Sequence, residues 1–193
     1  MHPPGPYCND DPLLDELKKD MDHTLEALRK ELAKVRTGRA STALIEGVIV
    51  EYYGTRTPLN QLAALSAPEP RLLLVQPYDR SIMSAVEKAI YQSDLGLTPV
   101  NDGKVIRVPI PELTEERRKE LVRHIRKLAE DYRVSLRNHR RDANERLKKM
   151  QKDKNITEDE ARSTQDRVQK ITDEYIEKLD KVLKSKEEDL MAV

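Results

Sequence analysis

The chain of 193 residues contains no tryptophan, no phenylalanine, a single cysteine and six glycines, and its formal net charge is zero. One cysteine, Cys8, excludes an internal disulfide framework and a cysteine-built metal site. Six glycines leave little room for a phosphate cradle, and neither G-x-x-x-x-G-K-[ST] nor G-x-G-x-x-G occurs. Apolar runs such as Leu72 to Val75 fall far short of the roughly 20 residues that a spanning helix needs. Met1 to Asp11 lacks the basic residue and apolar stretch of a signal peptide and the arginine of a mitochondrial leader, so the expected location is the cytoplasm. Balanced charge, 35 basic against 35 acidic residues, means that any nucleic-acid preference must come from local arrangement. What is abundant is charge itself, 36% of residues against a usual value of about 25%. With tyrosine the only aromatic, that is the composition of long solvated helices.

Three segments carry helical periodicity. Asp11 is placed to cap a first helix with Pro12 at its first position, where the missing N–H costs nothing. Leu14, Leu17, Met21, Leu25, Leu28, Leu32 and Val35 follow at spacings of three or four, and the helix is expected to stop near Gly38. Thr114 caps a second helix that runs without Pro or Gly from Glu115 to Met150, about 54 Å at 1.5 Å per residue. After a turn at Asn155 and Ile156, Thr157 with Glu160 forms a capping box for a third helix carrying Val168, Ile171, Tyr175, Leu179 and Val182. Between the first and second helices the chain changes character, with β-branched runs and turn residues. Strands are expected at Val48 to Tyr53, Arg71 to Gln76 and Lys104 to Val108, and a helix at Ser81 to Ser93 ended by Gly96. The fold class is therefore α+β, an elongated three-helix bundle (residues 1-38 and 114-193) with an inserted small β/α/β domain (39-113). The chain crosses between them twice, near Gly38 to Ala40 and Pro109 to Thr114, which makes these crossings a hinge pair.

The zero net charge conceals a segregation. Glu115 to Lys149 carries +6, whereas Met1 to Val35 and Met150 to Val193 each carry −3. At 100° per residue, Leu121, Ile125, Leu128, Tyr132, Leu136, His139, Ala143, Leu147 and Met150 form one apolar stripe. Arg126, Arg133, Arg137, Arg140, Arg141 and Lys148 fall on its flank, between roughly 100° and 200°, interrupted by Glu130 and Asn144. Guanidinium forks match phosphate oxygens and stack on bases, so the ridge suits structured nucleic acid. The competing reading is a solvated face paired to the acidic helices. Arg36 and Arg39 add positive charge beside the first crossing.

No catalytic constellation emerges, and no metal site. His2, His23, His124 and His139 have no ligand spacing, and His139 lies on the apolar stripe, where a hydrogen-bonded core histidine is expected. An enzyme hidden in the insert would need a polar pocket around Tyr52, Tyr53 or Asp79. A further alternative is a coiled-coil module whose helices bind a partner protein.

Particular strings narrow this choice. Val35-Arg36-Thr37-Gly38-Arg39-Ala40-Ser41, Val50-Glu51-Tyr52-Tyr53-Gly54-Thr55, Ser93-Asp94-Leu95-Gly96-Leu97, Ile106-Arg107-Val108-Pro109 and Leu113-Thr114-Glu115-Glu116-Arg117-Arg118-Lys119 resemble the ribosome recycling factor family. The densest match is Val134-Ser135-Leu136-Arg137-Asn138-His139-Arg140-Arg141-Asp142-Ala143-Asn144, on the basic ridge, and the resemblance covers almost everything after about Asp11. It implies an L-shaped, monomeric, non-enzymatic protein that binds the large ribosomal subunit after termination. With elongation factor G, which hydrolyses the GTP, it separates the subunits; no cofactor of its own is implied. Carried onto this sequence, the ribosomal-RNA contacts are Arg140 foremost, then Arg137, Arg141 and Arg133, with Arg36 and Arg39 near the bend. The implied hinge comprises Gly38 and Arg39 on one crossing and Pro109, Pro111 and Thr114 on the other.

Overall fold

A computed structural model describes residues 12–192. Element order is α1 (Pro12–Ala33), β1 (Ile49–Tyr52), β2 (Thr55–Pro58), β3 (Ala63–Glu69), β4 (Leu72–Pro77), α2 (Met83–Gln92), β5 (Val100–Asn101), β6 (Ile106–Pro109), α3 (Glu115–Lys152) and α4 (Glu158–Met191). The chain divides into two compact units, one joining the residues up to Leu32 with those from Glu120 onward, the other Ala33–Lys119. The proposed cap Asp11 lies outside the described residues.

In the helical unit the leucine seam of α1 is buried from Leu14 to Leu32, against Ile125, Ala129, Leu136, Ala143 and Leu147 of α3 and Val168, Ile171, Tyr175, Leu179 and Leu190 of α4. The two caps form: the N–H of Arg117 donates to Thr114 Oγ1 and that of Glu160 to Thr157 Oγ1, both at 3.1 Å, each satisfying an orphan donor of a first turn. His139 is half-buried and not part of the core, with Nε2 3.0 Å from Thr24 Oγ1, whose hydroxyl donates to the Asp20 carbonyl. The helix is thus pinned to α1 by a bond that needs the proton on Nε2.

A second cross-helix bond joins α4 to α1: Tyr175 OH donates to Asp22 Oδ1 at 2.5 Å. Burial first, and then the Asp22 carboxylate, push the Tyr175 pKa above its ordinary value. A raised pKa means that the stabilisation is fully present below the unfolded value of about 10 and is lost as pH rises through the folded one. Tyr175→Phe is expected to cost about 1–2 kcal/mol at neutral pH, the exposed carboxylate end keeping it in the lower part of the range for bonds to charged groups. Chemical denaturation at pH 7 and pH 11 checks this, because the gap between wild type and variant should narrow at the higher pH.

The smaller unit holds a two-stranded sheet, β1-β2, and a four-stranded antiparallel sheet ordered β3-β4-β6-β5. Val50, Leu59, Leu73, Val75, Val86, Ile90, Ile106 and Val108 are its fully buried centre. It contains three strands that the sequence pattern did not announce. β2 reads Thr-Arg-Thr-Pro, polar and ended by proline, and is specified by the turn before it: Tyr53 and Gly54 both have positive φ, 50° and 79°, the two-residue hairpin geometry. β3 carries Ala63, Ala64, Ala67 and Pro68, weak strand formers, and the pairing with β4 is irregular between Ser66 and Glu69. β5 is only two residues long.

The first helix ends at Ala33, five residues before Gly38. Beyond it the chain is held by side chains, with Arg36 Nη1 donating to the Leu95 carbonyl at 2.9 Å and Thr37 Oγ1 accepting the Arg39 N–H at 3.3 Å. Gly38 has φ +79°, and a Cβ there would sit 3.6 Å from Leu113 Cγ, an ordinary contact. The cost of a side chain is therefore conformational and not steric: Gly38→Ala should destabilise by about 1–2 kcal/mol in urea unfolding.

Candidate nucleic-acid interface

Helix α3 places its basic residues where the sequence pattern put them, but their partners divide the ridge. Arg126 grips Glu187 of α4 with Nε to Oε1 at 2.6 Å and Nη2 to Oε2 at 3.4 Å. Seven residues on, Arg133 grips Asp180 of α4, Nη2 and Nε lying 2.6 and 2.9 Å from Oδ1, and also reaches Glu130 at 2.9 Å. Burial disfavours the charged Arg133 guanidinium, yet its bonds to Asp180 and Glu130 outweigh that and hold its pKa above the arginine value. Glu187 does the same for Arg126. This half of the ridge is the face paired to acids that the sequence left open as an alternative.

Further along, compensation falls away. Arg137 Nη1 shares Glu130 at 3.3 Å, and the Arg133 hydrogen bond, more than that of Arg137, holds the Glu130 carboxyl below the usual glutamate range. Among the described residues Arg140 meets only a neutral acceptor, Gln169 Oε1 at 3.3 Å. Arg141 and Lys148 are exposed and make no hydrogen bond or ion pair among the described residues. Arg137, Arg140, Arg141 and Lys148 thus present successive positive charges along about 17 Å of helix.

The remaining candidates lie in the smaller unit. Arg36 is half-buried, committed to Leu95, with its Nε buried and without a hydrogen-bond partner. Its role there is to fix the chain after α1 onto the loop that follows α2. Arg39 is exposed. Pro109 ends β6, Pro111 follows it, and Thr114 is spent on the α3 cap. Of the tyrosines that an enzyme reading would need, Tyr52 packs partly buried against the core of the smaller unit and Tyr53 is exposed. Asp79 accepts from the Ser81 N–H at 2.9 Å and Ser81 Oγ at 2.6 Å, bonds that cap a short turn and hold its carboxyl below the usual range, with exposed Tyr53 OH at 3.4 Å. Among the described residues no group of three or more His, Cys, Asp or Glu side chains is arranged to hold a metal ion, and no helix is long and apolar enough to cross a membrane.

Comparison with known proteins is consistent across family, sequence and fold. The family model "Ribosome recycling factor" matches residues 28–191. The ribosome-recycling factor of Carboxydothermus hydrogenoformans is 55% identical over 181 residues, covering 94% of this chain and 98% of that one. That of Syntrophus aciditrophicus is 56% identical over 183 residues, covering 95% and 99%. Among solved structures, a solution structure of a ribosome recycling factor superposes with a TM-score of 0.77 at 44% identity, covering 94% of this chain and 96% of that chain. Models of the T. thermophilus ribosome recycling factor and the E. coli elongation factor G bound to the E. coli post-termination complex give a TM-score of 0.66 at 48% identity, covering 93% and 97%. From residues 28 to 191, in sequence and in fold, this chain belongs to the ribosome recycling factor family.

Proposed function

We propose that this protein binds the large ribosomal subunit of the post-termination ribosome through the Arg137 to Lys148 stretch of α3, and that with elongation factor G it separates the subunits. The observation that carries the reading is Arg140: a guanidinium on a helix face rich in cations, matched among the described residues only by a neutral amide. A cation without a carboxylate partner is free to form charge-assisted bonds to phosphate oxygens. Arg137 and Arg141 flank it as contacts. Arg133 and Arg36 spend their guanidiniums inside the protein and contribute less, while exposed Arg39 retains a contact role. Membership of the family and the relative bound with elongation factor G to a post-termination complex support the same partner set.

The protein contributes no bond-making chemistry; GTP hydrolysis belongs to the partner factor. The anchored bundle works as a lever, and the smaller unit swings about the two crossings, Gly38 and Arg39 on one and Pro109, Pro111 and Thr114 on the other, as a monomer in the cytoplasm. The test is light scattering of post-termination ribosomes mixed with this protein, elongation factor G and GTP. Splitting that requires all three supports the reading. Scattering unchanged by addition of this protein, with its fold verified, contradicts it.

A further inference from the structure

The pairing across the α3/α4 seam has a seven-residue beat. Arg126, Arg133 and Arg140 recur at that interval along α3, and Glu187, Asp180 and Asp173 recur at the same interval in the opposite direction along α4. The first two rungs are closed, Arg126 on Glu187 and Arg133 on Asp180, each with a contact at 2.6 Å. Helices that pack with a heptad repeat present equivalent neighbours every seven residues, so the third rung should pair Arg140 with Asp173. It does not. Gln169, one turn before Asp173 on α4, donates from Nε2 to Asp173 Oδ1 at 2.8 Å and turns its Oε1 to Arg140 at 3.3 Å. The amide sits between the two charges: its NH2 end occupies the acid and its oxygen end faces the base.

We propose that Gln169 is a positioning residue that diverts Asp173 and so keeps Arg140 uncompensated for ribosomal RNA, in a ladder whose other rungs are shut by carboxylates. This rests on the reading of the ridge as the RNA anchor and deepens it by naming what sets its affinity. The physical logic is competitive. A phosphate that binds Arg126 or Arg133 must displace a carboxylate, whereas one that binds Arg140 displaces only the oxygen of an amide, a weaker acceptor than an ionised group.

The test uses the full chain and co-sedimentation with isolated large ribosomal subunits at fixed moderate salt. Gln169→Ala should let Asp173 close onto Arg140 and weaken binding about two- to fivefold, the range for an exposed ion pair. Adding Asp173→Asn in that background should restore binding to near wild type, because no carboxylate is then left to pair. Wild-type affinity in Gln169→Ala overturns the proposal, and so does equal weakness of the single and double variants, which would make the amide itself the contact. Two controls separate this from the anchor reading. Arg140→Ala that binds like wild type would remove the anchor; Arg140→Ala weak beside Gln169→Ala normal would remove only the role of Gln169. Independently of the ribosome, a double-mutant cycle on thermal stability should find stronger coupling between Arg140 and Asp173 in the Gln169→Ala background, where they pair directly, than in the wild-type one, where Gln169 stands between them.

Discussion

Arg140→Ala is expected to lower affinity for the isolated large ribosomal subunit by between about tenfold and a hundredfold, which is the range for losing a hydrogen bond to a charged group. The melting midpoint should barely move, because Arg140 leaves no cavity and its sole hydrogen-bond partner among the described residues is the side chain of Gln169. Arg133→Ala should behave in the opposite way. Its side chain is only 20% exposed and bridges Asp180 and Glu130, so the loss falls on the α3/α4 seam more than on binding. Equal effects of the two variants on binding would show that the carboxylates on α4 do not withhold a guanidinium from RNA.

The second large effect is on stability. Leu136 is fully buried on the same helix, between the turns that carry Arg133 and Arg140. Leu136→Ala should cost about 2–5 kcal/mol, the transfer of the lost methyl groups plus a cavity that long, stiff helices cannot close. For a unit of this size that is a fall in melting midpoint on the order of 10–30 °C. Measured well below the new midpoint, binding to the large subunit should remain within about twofold of wild type, since Leu136 faces the buried side of α3 and the guanidiniums lie on the flank of that apolar stripe. Subunit splitting should suffer more than binding if the bundle transmits force as a stiff lever. An unchanged midpoint would place Leu136 outside the cooperative core.

Much of this was readable from residue order, and the exceptions have physical causes. The α1 seam and the Thr114 and Thr157 caps depend on local spacing, which a sequence displays directly. Strands β2 and β3 are not written in β-branched alternation: one is fixed by a hairpin turn with two positive φ values, the other by pairing with β4 despite alanines and a proline. α1 ends at Ala33, and beyond it Arg36 reaches Leu95, 59 residues away, a contact that no local pattern reveals. The basic ridge was legible as a helical projection. Its division into closed and open rungs was not, because the carboxylates that close it sit 47 and 61 residues further on, in a helix whose register against α3 exists only after folding. The acidic balance of the third helical segment was the one available signal, and it showed the presence of partners without showing which arginines they take.

In the proposed function four cations, Arg137, Arg140, Arg141 and Lys148, anchor the protein on ribosomal RNA. Its most direct test is the binding constant for isolated large subunits measured across a salt series. Each neutralised phosphate adds about 0.7–0.9 to the slope of log affinity against log salt, so four contacts should give a slope of about −3 for wild type and a loss of roughly one unit in Arg140→Ala. A slope near zero, with tight binding retained at high salt, would mean that apolar contacts hold the protein on the ribosome and would contradict the anchor.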